Sequence, residues 1–208
     1  MLNGSASIIM LEMITDPLVD LIVHGVEERN LEYKGNIAWQ DATIKGRLCK
    51  SIIAMANLQD GGSIVIGVEE TKKKGQFIAK GLSNENLDTF RPDDLMAWVN
   101  EYASPPVELT LQRVAYDNKN FVIIRVREFA ELPVVCKKSG ADAMRNGALY
   151  IRRKRTTETA EVSSEGEMRE ILELAADKNM RRFLERRDRI GASAPSSGTL
   201  FDQQLRGI

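Results

Sequence analysis

The sequence predicts an α+β domain, in which a mixed, largely antiparallel sheet is flanked by helices and followed by a further C-terminal helix. Three observations support this fold class. Apolar side chains recur at helical spacing over residues 41–58, and residues 165–189 form a long charged helical pattern. Residues 107–116 and 121–127 alternate apolar and polar on either side of a short polar turn, which is typical of a β-hairpin. Because helices and strands do not alternate regularly along the chain, a doubly wound nucleotide-binding sheet is not expected.

Capping and turn residues predict the other elements. Asp16 and Pro17 suit the start of a short helix, Asp41 suits the start of the next one, and Pro105-Pro106 prevent the second long helix from continuing. In order, the predicted elements are a short helix ending at Gly25, a strand at 31–34, a helix at 41–58, strands at 63–68 and 77–82, a helix at 92–103, the hairpin, and strands at 134–137 and 149–152.

The 208 residues, 43% of them hydrophobic, are enough to bury one sizeable core. We expect a flexible N-terminus at 1–15, one domain at 16–162, a charged C-terminal helix at 163–190 and a flexible tail at 191–208.

Composition excludes several classes of protein. The longest apolar run is too short to cross a membrane, so no membrane partner is expected. Cys49 and Cys136 each lie inside an apolar pattern and are expected to be reduced, buried thiols of a cytoplasmic protein. The single histidine, His24, argues against a histidine-rich metal site or a histidine-based catalytic triad.

The net charge of −1 conceals two segments of opposite sign. Residues 1–34 hold six acidic and two basic residues, whereas residues 137–155 hold seven basic residues and one acidic residue. Separated charge of this kind presents a local field to nucleic acid even on a neutral protein.

The acidic segment ends in three residues that suit phosphate chemistry, Glu32, Tyr33 and Lys34. In a strand, Glu32 and Lys34 point to the same face, so both can address one phosphate. Carboxylates suit Mg²⁺ or Mn²⁺, and a further acid is available at Glu69 or Glu70. A solvated strand face with a simple charge pair explains the same spacing, and the spacing alone does not decide between the two interpretations.

The glycine-rich segment at 57–67 does not predict a phosphate-binding loop. It runs from a helix to a strand, whereas phosphate loops of the common kinds run from a strand to the N-terminus of a helix. Gly61 and Gly62 are therefore interpreted as a chain reversal, and Gly67 as a site of close packing.

The basic segment suits the sugar-phosphate backbone, because arginines bind phosphate bidentately and a tyrosine can stack on a base. An edge strand protected by charge from aggregation is the alternative. The candidate nucleic-acid-binding residues are Lys137, Lys138, Tyr150, Arg152, Arg153, Lys154 and Arg155.

Four motifs in the order found here resemble the Schlafen AlbA-like family of nucleic-acid-binding domains. The motifs cover about residues 24–160, and they are Glu27 with Glu32-Tyr33-Lys34, Ala54-Met55-Ala56-Asn57 with Gly61-Gly62, Ile66-Gly67-Val68-Glu69-Glu70, and Tyr150-Ile151-Arg152.

The resemblance implies a divalent-metal-dependent endoribonuclease that acts on structured RNA such as tRNA. It implies Glu27, Glu32 and Glu70 as ligands of Mg²⁺ or Mn²⁺, with Lys34 beside them as a catalytic residue. Glu28 and Glu69 are close competitors for these roles. The third acid is often Asp in the family and is Glu here, which places the metal site in doubt.

Two alternatives stay open at this stage. A non-catalytic DNA- or RNA-binding module of a transcriptional regulator or defence protein fits the same motifs. The helix at 165–189 could instead, or in addition, assemble a homo-oligomer.

Overall fold

The computed structural model describes residues 16–193. Both predicted flexible ends therefore lie outside the described residues, except for residues 191–193, which extend the last helix. The helices are α1 (Pro17–Val23), α2 (Ala42–Ala56), α3 (Asn84–Thr89), α4 (Pro92–Tyr102) and α5 (Glu165–Ser193). The strands are β1 (Leu31–Lys34), β2 (Gly62–Ile66), β3 (Val68–Glu70), β4 (Phe77–Ala79), β5 (Ala103–Ser104), β6 (Leu109–Tyr116), β7 (Lys119–Val126), β8 (Val135–Cys136), β9 (Tyr150–Arg152) and β10 (Thr159–Glu161).

The main sheet has four strands in the order β1-β2-β7-β6. β1 runs parallel to β2, and the other two pairings are antiparallel. The predicted mixed, largely antiparallel α+β fold is thus confirmed. The three smaller pairings, β3 with β4, β5 with β8, and β9 with β10, are each antiparallel as well.

Local sequence explains the longest elements. The Asp41 side chain accepts hydrogen bonds from the backbone N–H groups of Thr43 and Ile44, which caps α2 as predicted. The β6–β7 hairpin turns at Asp117 and Asn118, and both residues have positive φ, as a tight hairpin requires. The predicted strand at 63–68 is divided into β2 and β3 by Gly67, whose φ of 108° few other residues adopt.

The sheet separates two apolar clusters. The larger lies under α2 and α4 and contains Ile64, Ile66 and Ile124 of the sheet. The smaller lies under α1 and the β3–β4 hairpin and contains Leu31, Tyr33, Val65 and Ile123. Since alternate residues of β2 lie in opposite clusters, this strand is buried on both faces, which explains its continuous apolar sequence.

Cys49 and Cys136 are buried free thiols, as expected. Burial raises the pKa of both, so neither is a reactive thiolate at neutral pH. Within the described residues, no helix is both long enough and apolar enough to cross a membrane.

Candidate nucleic-acid interface

Strand β1 places two charged side chains on the α2 side of the sheet. Leu31 and Tyr33 occupy the opposite face, in the smaller apolar cluster, so strand alternation directs Glu32 and Lys34 toward α2. Lys34 Nζ lies 2.5 Å from Glu32 Oε1. The prediction that these two residues share one face is therefore confirmed.

The Glu32 carboxylate is fully engaged by its neighbours. Its Oε2 lies 2.9 Å from Arg152 Nη1, and its Oε1 accepts a hydrogen bond of 3.0 Å from the Ser51 hydroxyl. Glu32 is 4% exposed and Arg152 is 2% exposed. Glu32 therefore neutralises a buried arginine in addition to the Lys34 ammonium, and both of its oxygens are occupied.

Glu27 lies beside this network at the edge of β1. Its carboxylate accepts a 2.8 Å hydrogen bond from the backbone N–H of Tyr33. Burial raises the pKa of Glu27, and the Tyr33 N–H and the Lys34 charge only partly offset this effect. Glu27 and Glu32 line one cavity together with Lys34, as the resemblance implied.

The other predicted carboxylates lie elsewhere. Glu70 accepts a 2.7 Å hydrogen bond from the backbone N–H of Gly75 and so stabilises the β3–β4 turn. Glu69 lies 2.7 Å from Lys80, which lowers the pKa of Glu69, and Glu28 lies 2.9 Å from His24. None of these three acids lines the cavity that contains Glu27 and Glu32.

The side chains as placed do not fit the predicted metal site. Within residues 16–193, no group of three or more His, Cys, Asp or Glu side chains is arranged to hold a metal ion. Glu32, the central carboxylate of the predicted set, uses its oxygens to bind Arg152, Lys34 and Ser51. The three-carboxylate set is thus not assembled, because Glu70 is engaged in its own hairpin.

The cavity is a cleft of about 370 Å³ between β1, α2 and the turn that joins β9 to β10. We call it the β1–α2 cleft. Its lining contains four basic side chains, four acidic side chains and the hydroxyls of four Ser or Thr residues. These are Glu27, Glu32, Lys34, Arg47, Lys50, Ser51, Asp142, Arg152, Thr156, Thr157, Glu158 and Thr159.

Two of the basic side chains, Arg47 and Lys50, come from α2 and were not among the predicted site residues. Lys50 Nζ lies 2.5 Å from Asp142 Oδ2, and Arg47 Nε lies 3.2 Å from Asp142 Oδ1. Burial favours a raised pKa for Asp142, but the hydrogen bonds from Lys50 and Arg47 outweigh it and lower the pKa. Lys50 and Ser51 follow Arg47 by three and four residues, so the three side chains lie on one face of α2. This polar face on an otherwise apolar helix is the feature of the sequence that could have predicted their place in the cleft.

Two residues of the basic segment, Tyr150 and Arg152, are buried, whereas the sequence predicted that they bind nucleic acid at the surface. Tyr150 is 4% exposed, and its hydroxyl accepts a hydrogen bond from the Arg145 N–H, so its ring has no face free to stack on a base. Arg152 is buried against Glu32 and likewise cannot bind a phosphate at the surface. The predictions of a stacking Tyr150 and a phosphate-binding Arg152 are wrong, because both side chains turn toward the core and away from solvent.

The next three cations stay near the surface, beside the N-terminal end of α5. Arg153 lies 3.5 Å from Glu167, and Lys154 lies 3.3 Å from Glu170. Arg155 is exposed and forms no ion pair within residues 16–193. Together with Arg29, these residues line a second cavity of about 660 Å³, which adjoins the β1–α2 cleft at Arg152 and Thr156.

Lys137 and Lys138 do not line the β1–α2 cleft. Lys138 Nζ lies 2.8 Å from Glu101 and 4.4 Å from the centre of the Tyr102 ring. The basic segment therefore divides into two separate surfaces, of which only the residues after Ile151 approach Glu32.

The family of the chain is decided by a match over residues 27–161 to the family model described as Schlafen, AlbA_2. The matched residues include every strand of the main sheet and both walls of the β1–α2 cleft. The chain belongs to the Schlafen AlbA_2 family. Membership in this family indicates a nucleic-acid-binding domain, as the four sequence motifs implied.

Solved structures show partial likeness to this Schlafen AlbA_2 domain. The DIP2311 protein of Corynebacterium diphtheriae is 16% identical, with a TM-score of 0.44, over 69% of this chain and 25% of that chain. The N-terminal domain of a RecG-related protein from Nitrosomonas europaea is 22% identical, also with a TM-score of 0.44, over 62% of this chain and 85% of that chain. The chain thus spans a quarter of the length of the diphtheria protein. No curated protein matches the chain.

Proposed function

We propose that this Schlafen AlbA_2 domain binds the sugar-phosphate backbone of nucleic acid in the β1–α2 cleft and on the adjoining Arg153–Arg155 surface. The supporting observation is that the cations Lys34, Arg47 and Lys50 line one concave surface together with the Thr156 and Thr157 hydroxyls. Cations and hydroxyl groups are the side chains that contact phosphate oxygens in most nucleic-acid complexes.

The charge pairs favour this function, because they hold the cations in place before a ligand arrives. Asp142 orients both Arg47 and Lys50, and Glu32 orients Lys34. Binding then requires little ordering of long side chains, and a phosphate can replace a carboxylate as the partner of each cation.

The lining of the cleft also predicts what is recognised. Among residues 16–193, no aromatic side chain lines the β1–α2 cleft, and Tyr150 is buried. The proposed contacts are to the backbone and not to base edges, so binding is independent of sequence and strongly dependent on salt.

RNA, including structured RNA such as tRNA, and DNA are both candidate ligands. The balance of four acidic and four basic side chains in the cleft predicts modest affinity, in the range of about 10⁻⁴ to 10⁻⁶ M that is typical of contacts to phosphate alone. Binding of a labelled tRNA and of DNA duplexes, measured by fluorescence anisotropy at increasing salt, tests this proposal. An affinity that does not change with salt, or the absence of binding at low salt, would refute it.

A metal-dependent endoribonuclease is the second candidate, because Glu27, Glu32 and Lys34 share the cleft. It requires a third carboxylate ligand beside them. Glu70 does not line the cleft, and Asp142, which does, is bound by Lys50 and Arg47. The test is incubation of tRNA with the protein and Mg²⁺ or Mn²⁺, with Glu27→Gln as the matched variant. This variant keeps an acceptor for the Tyr33 N–H, so loss of cleavage with unchanged RNA affinity would support catalysis. No cleavage of any RNA with either metal would exclude this candidate and leave binding as the function.

The homo-oligomer expected through the C-terminal helix is a separate proposal, since the exposed apolar side chains of that helix do not line the β1–α2 cleft.

A further inference from the structure

Helix α5 attaches to the domain by one side only. Ile171 and Ala175 are buried, and two ion pairs of 2.5 Å, Lys178 with Glu128 and Arg182 with Glu131, continue the attachment along the helix. Other apolar side chains of α5 remain exposed to an unusual degree. They are Met168 (36%), Leu172 (57%), Met180 (59%), Phe183 (63%), Leu184 (38%) and Ile190 (72%).

These exposed side chains form one stripe along α5. Positions 168, 172, 176 and 180 recur every four residues, and Phe183, Leu184 and Ile190 continue the stripe toward the C-terminus. Side chains of this size are uncommon on a solvent-exposed helix face, and a contiguous apolar patch is typical of an interaction site.

Helix α5 is also divided by charge. Residues 165–177 contain five acidic residues and one basic residue, whereas residues 178–190 contain six basic residues and two acidic residues. Some of these charges pair within the chain, as Lys178 and Arg182 do. Glu173 and Asp177 in the first half, and Arg181 and Arg186 in the second, form no ion pair within residues 16–193, so the two halves remain complementary in charge. Between two α5 helices packed side by side along their length, an antiparallel arrangement brings these opposite charges together, whereas a parallel arrangement places like charges together.

We propose that the exposed stripe of α5 binds the α5 helix of a second copy of this chain in an antiparallel, two-fold symmetric pair. A symmetry axis near residue 178 places Leu172 of one copy opposite Phe183 and Leu184 of the other, and Ala176 opposite Met180. The overlap of residues 166–190 is about 36 Å long at 1.5 Å per residue.

The surface shape of the stripe agrees with this register. A shallow cavity of about 490 Å³ lies over Met168, Leu172 and Ala176. Phe183 of the second copy, the one aromatic residue of α5, faces this cavity and occupies part of it. Because the axis is two-fold, the same contact forms twice, which is the usual self-complementary arrangement of a dimer.

The test is the molar mass of the full chain in solution, measured by light scattering and by sedimentation over a wide range of concentration. We expect twice the chain mass of 23.3 kDa at high concentration. The variant Phe183→Lys is expected to remain monomeric, with an unchanged circular dichroism spectrum. The matched control is Leu132→Lys, since Leu132 is 60% exposed and lies outside α5. It should dimerise like the parent chain.

Charge exchange tests the antiparallel direction. The variants Glu173→Arg/Asp177→Arg and Arg181→Glu/Arg187→Glu should each dimerise more weakly than the parent chain, by at least tenfold in Kd. An equal mixture of the two should recover a heterodimer. Two results would overturn the proposal: a monomer at every concentration, or an equal mixture that dimerises no better than its components.

A chain ending at residue 193 should still dimerise. If only this shortened chain forms dimers, then residues 194–208 cover the stripe in the full chain and the proposal is wrong.

Discussion

The carboxylate of Glu32 and the guanidinium of Arg152 lie 2.9 Å apart beneath the β1–α2 cleft, although the two residues are 120 positions apart in sequence. Neither residue is more than 4% exposed. The pair links β1 to β9, and it lines the same cleft as Lys34, Lys50 and the Thr residues of the β9–β10 turn. Glu32 is therefore placed as a structural partner of a buried cation.

Replacement of Glu32 by alanine should destabilise the fold. It would leave Arg152 buried without a counter-charge and remove the acceptor of the Ser51 hydroxyl. Loss of one member of a buried ion pair typically costs about 3–5 kcal/mol, so we expect a decrease of that size in the free energy of unfolding, measured with urea.

Two further variants test whether the loss of stability in Glu32→Ala comes from the unpaired charge of Arg152 or from any change in the cleft. Glu158→Gln alters an exposed carboxylate of the same cleft and should change stability by less than about 0.5 kcal/mol. The double variant Glu32→Met/Arg152→Met should be closer to the parent chain than Glu32→Ala, because it removes both charges together. A Glu32→Ala variant as stable as the parent would show that the pair contributes little.

Replacement of Asn57 should also destabilise the fold strongly. Its buried amide donates to the carbonyls of Val134 (2.9 Å) and Tyr150 (3.0 Å) and accepts from the Val134 N–H (2.7 Å). Asn57→Ala leaves all three backbone groups without these partners, and we expect a loss of about 2–4 kcal/mol in unfolding experiments.

The Asp variant at this position tests the direction of the hydrogen bonds. Asn57→Asp would place one carboxylate oxygen against the carbonyl oxygens of Val134 and Tyr150, so this variant should become less stable as the pH rises and the carboxyl ionises. Asn179→Ala is the control, because Asn179 is an exposed residue of α5 with a single hydrogen bond to Ala175. It should change stability by less than about 0.5 kcal/mol. Equal effects of Asn57→Ala and Asn179→Ala would contradict this account.

The pKa of Glu27 predicts a dependence of stability on pH. Burial raises this pKa above its ordinary value of 4.5 in the folded chain. The fold therefore favours the protonated carboxyl, and this contribution is complete below the ordinary pKa and is lost as the pH rises through the raised one. Glu27→Gln removes the ionisable group while keeping an acceptor for the Tyr33 N–H.

The Gln variant should accordingly be more stable than the parent chain at neutral pH, and the difference should fade as the pH falls below 4.5. Thermal unfolding from neutral to acidic pH measures it. A variant that is less stable than the parent at neutral pH would indicate that the ionised carboxylate is favoured in the folded chain.

Much of the fold follows from local sequence. The apolar spacing of 41–58, the Asp41 cap and the turn at Asp117-Asn118 each specify an element without reference to distant residues. The same is true of α5, which is slightly longer than predicted. The short helix α3 and the parallel pairing of β1 with β2 were not predicted, because neither has a local signal comparable to a hairpin turn.

The site was harder to predict, since charge in a sequence does not reveal its partner. The four consecutive cations that begin at Arg152 predict a basic surface. That prediction was wrong for Arg152, because its side chain binds Glu32 in the interior. The alternation of β1 correctly joined Glu32 to Lys34, whereas Glu70 was assigned by family resemblance and lies at a hairpin turn. Arg47 and Lys50 reach the cleft through the packing of α2, which sequence spacing alone does not show.

The central claim is that nucleic acid binds in the β1–α2 cleft, and replacing its outer cations tests this claim most directly. The measurement is the affinity of Arg47→Gln/Lys50→Gln for a labelled tRNA, by fluorescence anisotropy at several salt concentrations. The control is Lys72→Gln/Lys73→Gln, which removes the same charge from the exposed β3–β4 turn. We expect the cleft variant to lose at least tenfold in affinity and to reduce the salt slope by about 1–2, one unit for each lost phosphate contact, while the control behaves like the parent chain. Equal affinity and equal slope for the two double variants would contradict the claim.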